Sequence, residues 1–209
     1  LTKKRKNKTK RFRYVRGGKQ TLVCSRTVHR YCVVKHLDKP LNIEIDDREI
    51  VPMNEFELGW RFEKTHSPDV SESEKKQIQP VSEMESKRLN KVIDYFEQEH
   101  NLREKYTQTD WISANAENDE KIEQFRKQLE LTLEKWDEGI IITWHRNITL
   151  KTTKEIFIKY WTDFLYPSSD DVTLISEKTN WVMFYRHFEV ANIWTKTSEN
   201  LKPLKEPLK

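Results

Sequence analysis

The segment WVMFYRHF, residues 181–188, constrains the fold most, because its composition predicts a β-strand with apolar side chains on both faces. Successive side chains of a strand point to opposite faces, and a sheet with one solvated face would alternate apolar with polar residues here. Either both faces of this sheet are covered, or one apolar face is a surface that docks another protein. If a face is a docking surface, the partner-binding residues are Trp181, Met183, Tyr185 and Trp194.

Three amphipathic helices precede this strand in the predicted structure, because apolar residues recur there at the spacing of one helical face. Ser82, followed by Glu85, matches the capping box that begins a helix. Thr152, followed by Glu155, matches the same signature. The predicted helices cover about 82–100, 118–139 and 152–164.

Four strands complete the predicted domain. Residues 140–145 contain three successive isoleucines, and the last third of the chain alternates β-rich segments with turns. The predicted strands cover 140–145, 172–176, 181–188 and 192–195. We therefore expect an α+β fold in which three amphipathic helices pack on a small antiparallel sheet of about four strands.

Charge divides the chain near residue 53. Residues 1–52 hold 15 Lys and Arg against 5 Asp and Glu, a net charge of +10, and residues 53–209 hold 23 against 29, a net of −6. We expect a basic, partly disordered N-terminal extension over 1–52, a single domain over 53–198 and a tail over 199–209. Such an extension can neutralise nucleic-acid phosphates without reading sequence. Its candidate contacts are Lys3, Lys4, Arg5, Lys6, Arg11 and Arg13.

Serines, carboxylates and a histidine crowd into residues 164–188, as a hydrolase site would require. The segment 167–171 also has the composition of a turn, and no glycine-flanked serine marks a nucleophile elbow. If the predicted strands are neighbours, a histidine and a carboxylate could form an acid–base group. The weak catalytic candidates are His145, Asp170, Asp171 and His187.

Metal and cofactor signals are sparse. Cys24, His29, Cys32 and His36 are all zinc-ligand types, but their spacing matches no common zinc finger. We therefore expect no metal site there, and no cofactor. No apolar run approaches the roughly 20 residues that cross a bilayer. Two cysteines in the chain favour a reducing cytoplasmic setting, without membrane association.

The chain contains a set of distinctive motifs: WRF (60–62), PDVSE (68–72), IQPVSE (78–83), Trp144, Thr152-Thr153, WTDFL (161–165) and residues 172–175. Together they resemble an uncharacterised bacterial family, catalogued as a domain of unknown function and found in marine gammaproteobacteria such as Vibrio. The resemblance covers about 53–195, leaves 97–135 without a clear match, and implies no catalytic residue, because the family has no known activity.

Three classes of function fit the sequence. An acidic body with many aromatic residues favours a non-enzymatic module that binds another protein, for example as an immunity protein or an antitoxin. The first alternative is a hydrolase or nuclease-type enzyme that uses the His and Asp candidates. The second is a nucleic-acid-associated protein that uses the basic extension.

Overall fold

The computed structural model describes residues 43–102, 111–167 and 169–196, and seven of its segments are β-strands. The strands are β1 (Gln79–Pro80), β2 (Ile112–Ser113), β3 (Gly139–His145), β4 (Ile148–Thr153), β5 (Val172–Ser176), β6 (Trp181–Arg186) and β7 (Val190–Thr195). They form one antiparallel sheet in the order β1-β4-β3-β5-β6-β7-β2.

Two long helices and several short ones accompany the sheet. The α-helices are α1 (Glu72–Lys75), α2 (Glu83–Glu99), α3 (Asp119–Leu133), α4 (Lys154–Lys159) and α5 (Trp161–Phe164). Single 3-10 turns cover Asp47–Glu49, Met53–Glu55 and Gly59–Phe62. Side-chain caps fix the starts of α2 and α3, since Ser82 accepts from the Glu85 N–H at 3.2 Å and Asn118 from the Lys121 N–H at 3.0 Å.

The predicted sheet of about four strands packed by three helices is wrong, although the α+β class holds. The sheet has seven strands because β1, β2 and β4 join the four that composition indicated. Two of the additional strands, β1 and β2, are only two residues long, which is too short for an alternating pattern to be recognised. The third, β4, forms a hairpin with β3 across Arg146 and Asn147.

The predicted third helix begins later and is interrupted. Thr152 lies inside β4, and Thr153 is the helix cap, its side chain accepting from the Ile156 N–H at 3.3 Å. At Tyr160 the backbone leaves the helical region, with φ −117° and ψ 29°, so two short helices replace one. The apolar stripe that predicted the helix is nonetheless buried, since Phe157 and Phe164 are fully enclosed.

Both faces of the sheet are covered, which decides between the two interpretations of the 181–188 segment. On one face, α2 packs Leu89, Ile93 and neighbouring side chains against the β-strand residues Ile141 and Val182. On the other face lies a larger core. Its helical and turn side chains include Phe62, Phe125, Leu129, Phe157, Trp161 and Phe164.

Residues before the predicted boundary also pack on the domain. Ile43 is buried in the α2-side core, and Ile50 forms an antiparallel bridge with Val81. The Val51 N–H donates to the Pro80 carbonyl at 2.9 Å, so this segment runs beside β1. Within the described ranges, no helix combines the length and apolar character needed to cross a membrane.

Candidate functional site

Asp170, one of the predicted catalytic carboxylates, is paired inside the protein. Arg61 binds it through two parallel contacts, Nη1 to Oδ2 at 2.5 Å and Nη2 to Oδ1 at 3.0 Å, and both side chains are buried. The Arg61 guanidinium lies over the ring of Tyr166 at 4.4 Å, with Trp60 and Trp144 further out. Asp170 thus anchors the end of the sheet to the turn that carries Arg61.

The pairing with Arg61 lowers the pKa of Asp170. Burial alone raises the pKa of a carboxyl group, but the hydrogen bonds from Arg61 and from the Tyr166 N–H outweigh it and hold the pKa of Asp170 below its usual range. A carboxylate held ionised by a bidentate arginine is a poor proton acceptor. Asp170 is therefore a structural residue in this geometry.

The Asp171 side chain lies at the surface of the domain, where it contacts His187. Its Oδ1 lies 2.9 Å from His187 Nδ1 and accepts from the His187 backbone N–H at 3.1 Å, while Oδ2 lies 3.2 Å from Arg186 Nη1. The Asp171 and His187 side chains are 45% and 40% exposed, so water reaches the pair. Burial raises the pKa of Asp171, but the hydrogen bonds from His187 and the charge of Arg186 outweigh burial and hold this pKa below its usual range.

His145 does not join this pair in any described contact. It lies exposed at the end of β3, and the β3–β5 register places it at the same end of the sheet as Asp171. The four predicted catalytic residues thus share one end of the sheet but split into a buried ion pair, an exposed dyad and a separate histidine. Among the described residues, no three His, Cys, Asp or Glu side chains converge as metal ligands.

Three of the four predicted partner-binding residues lie in the core. Trp181, Met183 and Tyr185 have no exposed surface, because α3, α4 and α5 cover the face of β6 to which they point. Only Trp194 reaches the surface in part, where it packs on Phe96 and His100 with ring centroids 5.5 and 4.8 Å apart. A partner could not contact the three buried residues without opening the domain.

The remaining predicted site residues lie outside the described ranges. They are the nucleic-acid candidates Lys3, Lys4, Arg5, Lys6, Arg11 and Arg13 and the metal candidates Cys24, His29, Cys32 and His36. Nucleic-acid association through the basic extension therefore stays a prediction.

A groove of about 310 Å³ lies at the N-terminal end of α2, which the sequence did not single out. Its floor is apolar, and carboxylates rim it. The apolar lining comes from Val51, Phe56, Val81 and Ile148. The polar lining comes from Glu55, Glu57, Ser82, Glu83 and Asn147. Met84, which is 72% exposed, follows the lining residue Glu83 directly.

The rim carboxylates are not equivalent. Glu83 pairs with Lys87 one helical turn along α2. Glu55 and Glu57 are exposed, and neither has an ion pair or hydrogen bond to another side chain in the described ranges. The groove therefore carries negative charge that no described side chain pairs, beside an apolar lining.

Long-range packing positions the groove. The ring of Phe56 is buried and lies 6.1 Å from that of Trp144, which fixes the segment carrying Glu55 and Glu57 on the domain. Gly59 keeps the segment compact, because a Cβ there would lie 2.3 Å from the Met53 carbonyl oxygen. The only local signal in the sequence is Glu55-Phe56-Glu57, a buried aromatic between two charges.

Comparison with known proteins places the chain in a family. A family model described as "Protein of unknown function (DUF2947)" matches residues 50–192. No curated protein and no solved structure matches the chain significantly. The predicted membership of a domain-of-unknown-function family is confirmed over nearly the predicted range, while the occurrence in marine gammaproteobacteria stays a prediction. Because the match covers more than half of the chain, the protein belongs to the DUF2947 family of proteins of unknown function.

Proposed function

We propose that this protein is a non-enzymatic module that binds another protein at the groove beside the N-terminus of α2. The observation that carries the proposal is the combination of an apolar floor with the unpaired Glu55 and Glu57. Protein interfaces combine an apolar centre with a polar rim, and the groove has this arrangement. An immunity protein or an antitoxin, which would act in the cytoplasm by blocking a partner, is one specific version.

Exposed apolar surface next to the groove also supports docking. Met84 is 72% exposed and lies in the first turn of α2, one residue beyond the lining residue Glu83. Methionine adapts its shape to different partners and is common at such surfaces. A groove of this size accommodates a few side chains of a partner, so the whole interface would extend beyond it.

Site-specific photo-crosslinking in the native cell tests this proposal. A photoreactive phenylalanine analogue replaces Met84 in one variant and Leu131 in a matched control, because Leu131 is 69% exposed but lies on α3 at the other face of the sheet. We expect position 84 to form a discrete crosslink to one protein, and position 131 to form none with that protein.

The crosslink must also depend on the groove. Glu55→Lys combined with Glu57→Lys is expected to abolish it, whereas Glu130→Lys combined with Glu134→Lys, the same charge change on exposed residues at the C-terminal end of α3, is expected to preserve it. Equal crosslinking at positions 84 and 131, or a crosslink insensitive to the groove variant, would reject the proposal.

The exposed Asp171–His187 pair favours a second candidate, a hydrolase or nuclease-type enzyme. A carboxylate at 2.9 Å from Nδ1 orients an imidazole for proton transfer at Nε2. If this candidate is correct, the protein hydrolyses an ester or phosphodiester substrate and His187→Gln lowers the rate at least about a hundredfold. Absence of turnover by the wild-type protein on such a substrate panel would remove the candidate.

A further inference from the structure

We infer that the groove binds a cationic segment of its partner, with a Lys or Arg side chain between the rim carboxylates and an apolar neighbour on the floor. This inference rests on the proposed function and goes further by naming the chemistry of the partner. Three observations support it. The rim carboxylates are exposed, the first turn of α2 is capped and acidic, and the floor of the groove is apolar.

The rim carboxylates face away from the core together. Phe56 has extended backbone, with φ −85° and ψ 126°, and its side chain is buried. Glu55 ends a 3-10 turn and Glu57 lies in the turn that follows, and both side chains are exposed and line the groove. Two carboxylates without described partners on one rim attract a positive charge, and they repel an anion.

The N-terminus of α2 does not offset this negative charge. A helix N-terminus attracts anions when its N–H groups are unsatisfied. Here the Ser82 hydroxyl caps the Glu85 N–H, and the Ser82 N–H donates to the Glu49 carbonyl at 2.8 Å. Glu83 and Glu85 already supply negative charge in the first turn. A phosphate or carboxylate ligand would therefore approach a capped helix start whose first turn and rim are both acidic.

The floor suits the aliphatic part of a basic side chain. Val51, Val81 and Ile148 form it, and the methylene groups of Lys and Arg pack on such surfaces while the charged head stays in water at the rim. Asn147, also in the lining, adds an amide that can bond the partner's backbone. A strongly basic segment without apolar residues would leave the floor uncovered, so both residue types are needed.

Peptide titration of the full-length chain, labelled with ¹⁵N, tests the inference. Three capped nonapeptides alternate Leu with Lys, with Gln or with Glu. We expect the Lys peptide to shift the amide signals of Val51, of residues 53–57 and of Asn147, and the Glu peptide to leave them unchanged. Raising NaCl from about 50 to about 500 mM should weaken the Lys peptide at least threefold, because salt screens exposed charges.

Paired variants locate the effect. Glu55→Gln with Glu57→Gln should weaken the Lys peptide about fivefold, as expected for two partly exposed ion pairs. Glu130→Gln with Glu134→Gln, in the last turn and at the C-cap of α3, should leave its affinity unchanged. Because all four side chains are exposed, these variants should keep the wild-type circular dichroism spectrum and melting temperature.

Each contrary outcome has a distinct meaning. Equal binding of the Gln and Lys peptides at the groove overturns the cationic partner and leaves groove docking intact. Shifts that map elsewhere, or an unchanged affinity in the Glu55→Gln/Glu57→Gln variant, also overturn it. Groove shifts that grow with protein concentration in the absence of peptide identify a second copy of the chain as the occupant. Failure of the proposed function itself is detected separately, by the crosslink at position 84.

Discussion

At the scale of single residues, Arg61 and Asp170 form a buried, bidentate ion pair. It joins a 3-10 turn to the start of β5 over 109 residues of sequence, and three aromatic rings enclose the arginine. A buried pair is costly to desolvate, but removing one partner is costlier, because the other is left as an unpaired buried charge. The interaction therefore fixes where the turn docks rather than adding much net stability.

Asp170→Asn is expected to lower the free energy of unfolding by about 3–5 kcal/mol, since it leaves the Arg61 charge buried without its counter-ion. Urea unfolding at pH 7 measures the change. Asp171→Asn is the matched control, because its carboxylate is 45% exposed, and we expect a loss of about 1 kcal/mol or less there. Equal losses in the two variants would contradict a buried, structural role for Asp170.

Stability should fall in acid because the pKa of Asp170 is below its usual range in the folded state. A carboxyl group with a lowered folded pKa binds more protons when unfolded, so its stabilisation is present above the unfolded pKa of about 3.9. That stabilisation is lost as the pH falls through the folded pKa. Urea unfolding at pH 7, 4 and 3 should show the decline in the wild type, and a shallower decline in Asp170→Asn. The same slope in both proteins would exclude Asp170 as a source.

At the scale of elements, the β5–β6 hairpin contains a local conflict between sequence and backbone. Thr179 has φ 53°, in the left-handed region that β-branched residues rarely adopt, and its N–H donates to the Ser176 carbonyl at 2.8 Å. The hairpin keeps this turn because β5 and β6 are paired from Val172–Tyr185 to Ile175–Val182. Tertiary pairing thus overrides the preference of one residue.

Thr179→Gly is expected to raise the free energy of unfolding by about 0.5–1 kcal/mol, because glycine adopts positive φ without steric cost. Thr173→Gly, at a half-buried position inside β5, should instead lower it by about 1 kcal/mol. Thermal and urea unfolding measure both. A destabilising Thr179→Gly would show that the threonine side chain contributes more than its backbone strain costs.

The segment that carries the groove rim depends on Gly59. Gly59→Ala would place a Cβ 2.3 Å from the Met53 carbonyl oxygen, so the backbone must move, and we expect a loss of about 1–3 kcal/mol with weaker binding of the Lys peptide. Gly139→Ala is the matched control, because its Cβ would meet the carboxylate end of Glu177, a side chain that can turn away. Equal stability losses would contradict the difference between rigid and flexible neighbours.

At the scale of the whole molecule, local patterns in the sequence predicted individual helices and strands. They did not predict the features that form only when distant segments of the chain pair. The stripe of Leu129 and its neighbours predicted α3, and the apolar run of β6 predicted a strand. The sequence did not predict β4, because Thr152 and Thr153 satisfy both a strand and a helix cap, and only pairing with β3 selects the strand. The groove was equally hidden, since Val51, Val81 and Ile148 meet only after β1 and β4 pair.

Because one sheet separates two cores, both cores should unfold together. Leu174 and Ile175 are adjacent in β5 and fully buried, but Leu174 points into the larger core and Ile175 into the α2-side core. Leu174→Ala and Ile175→Ala should each lower the free energy of unfolding by about 2–5 kcal/mol. Each variant should still unfold in a single transition, with far-ultraviolet and near-ultraviolet circular dichroism coinciding.

Leu131→Ala, at an exposed position of α3, is the control and should change the free energy of unfolding by less than about 0.5 kcal/mol. An early, separate transition in Ile175→Ala alone would show that α2 detaches from a sheet that remains folded.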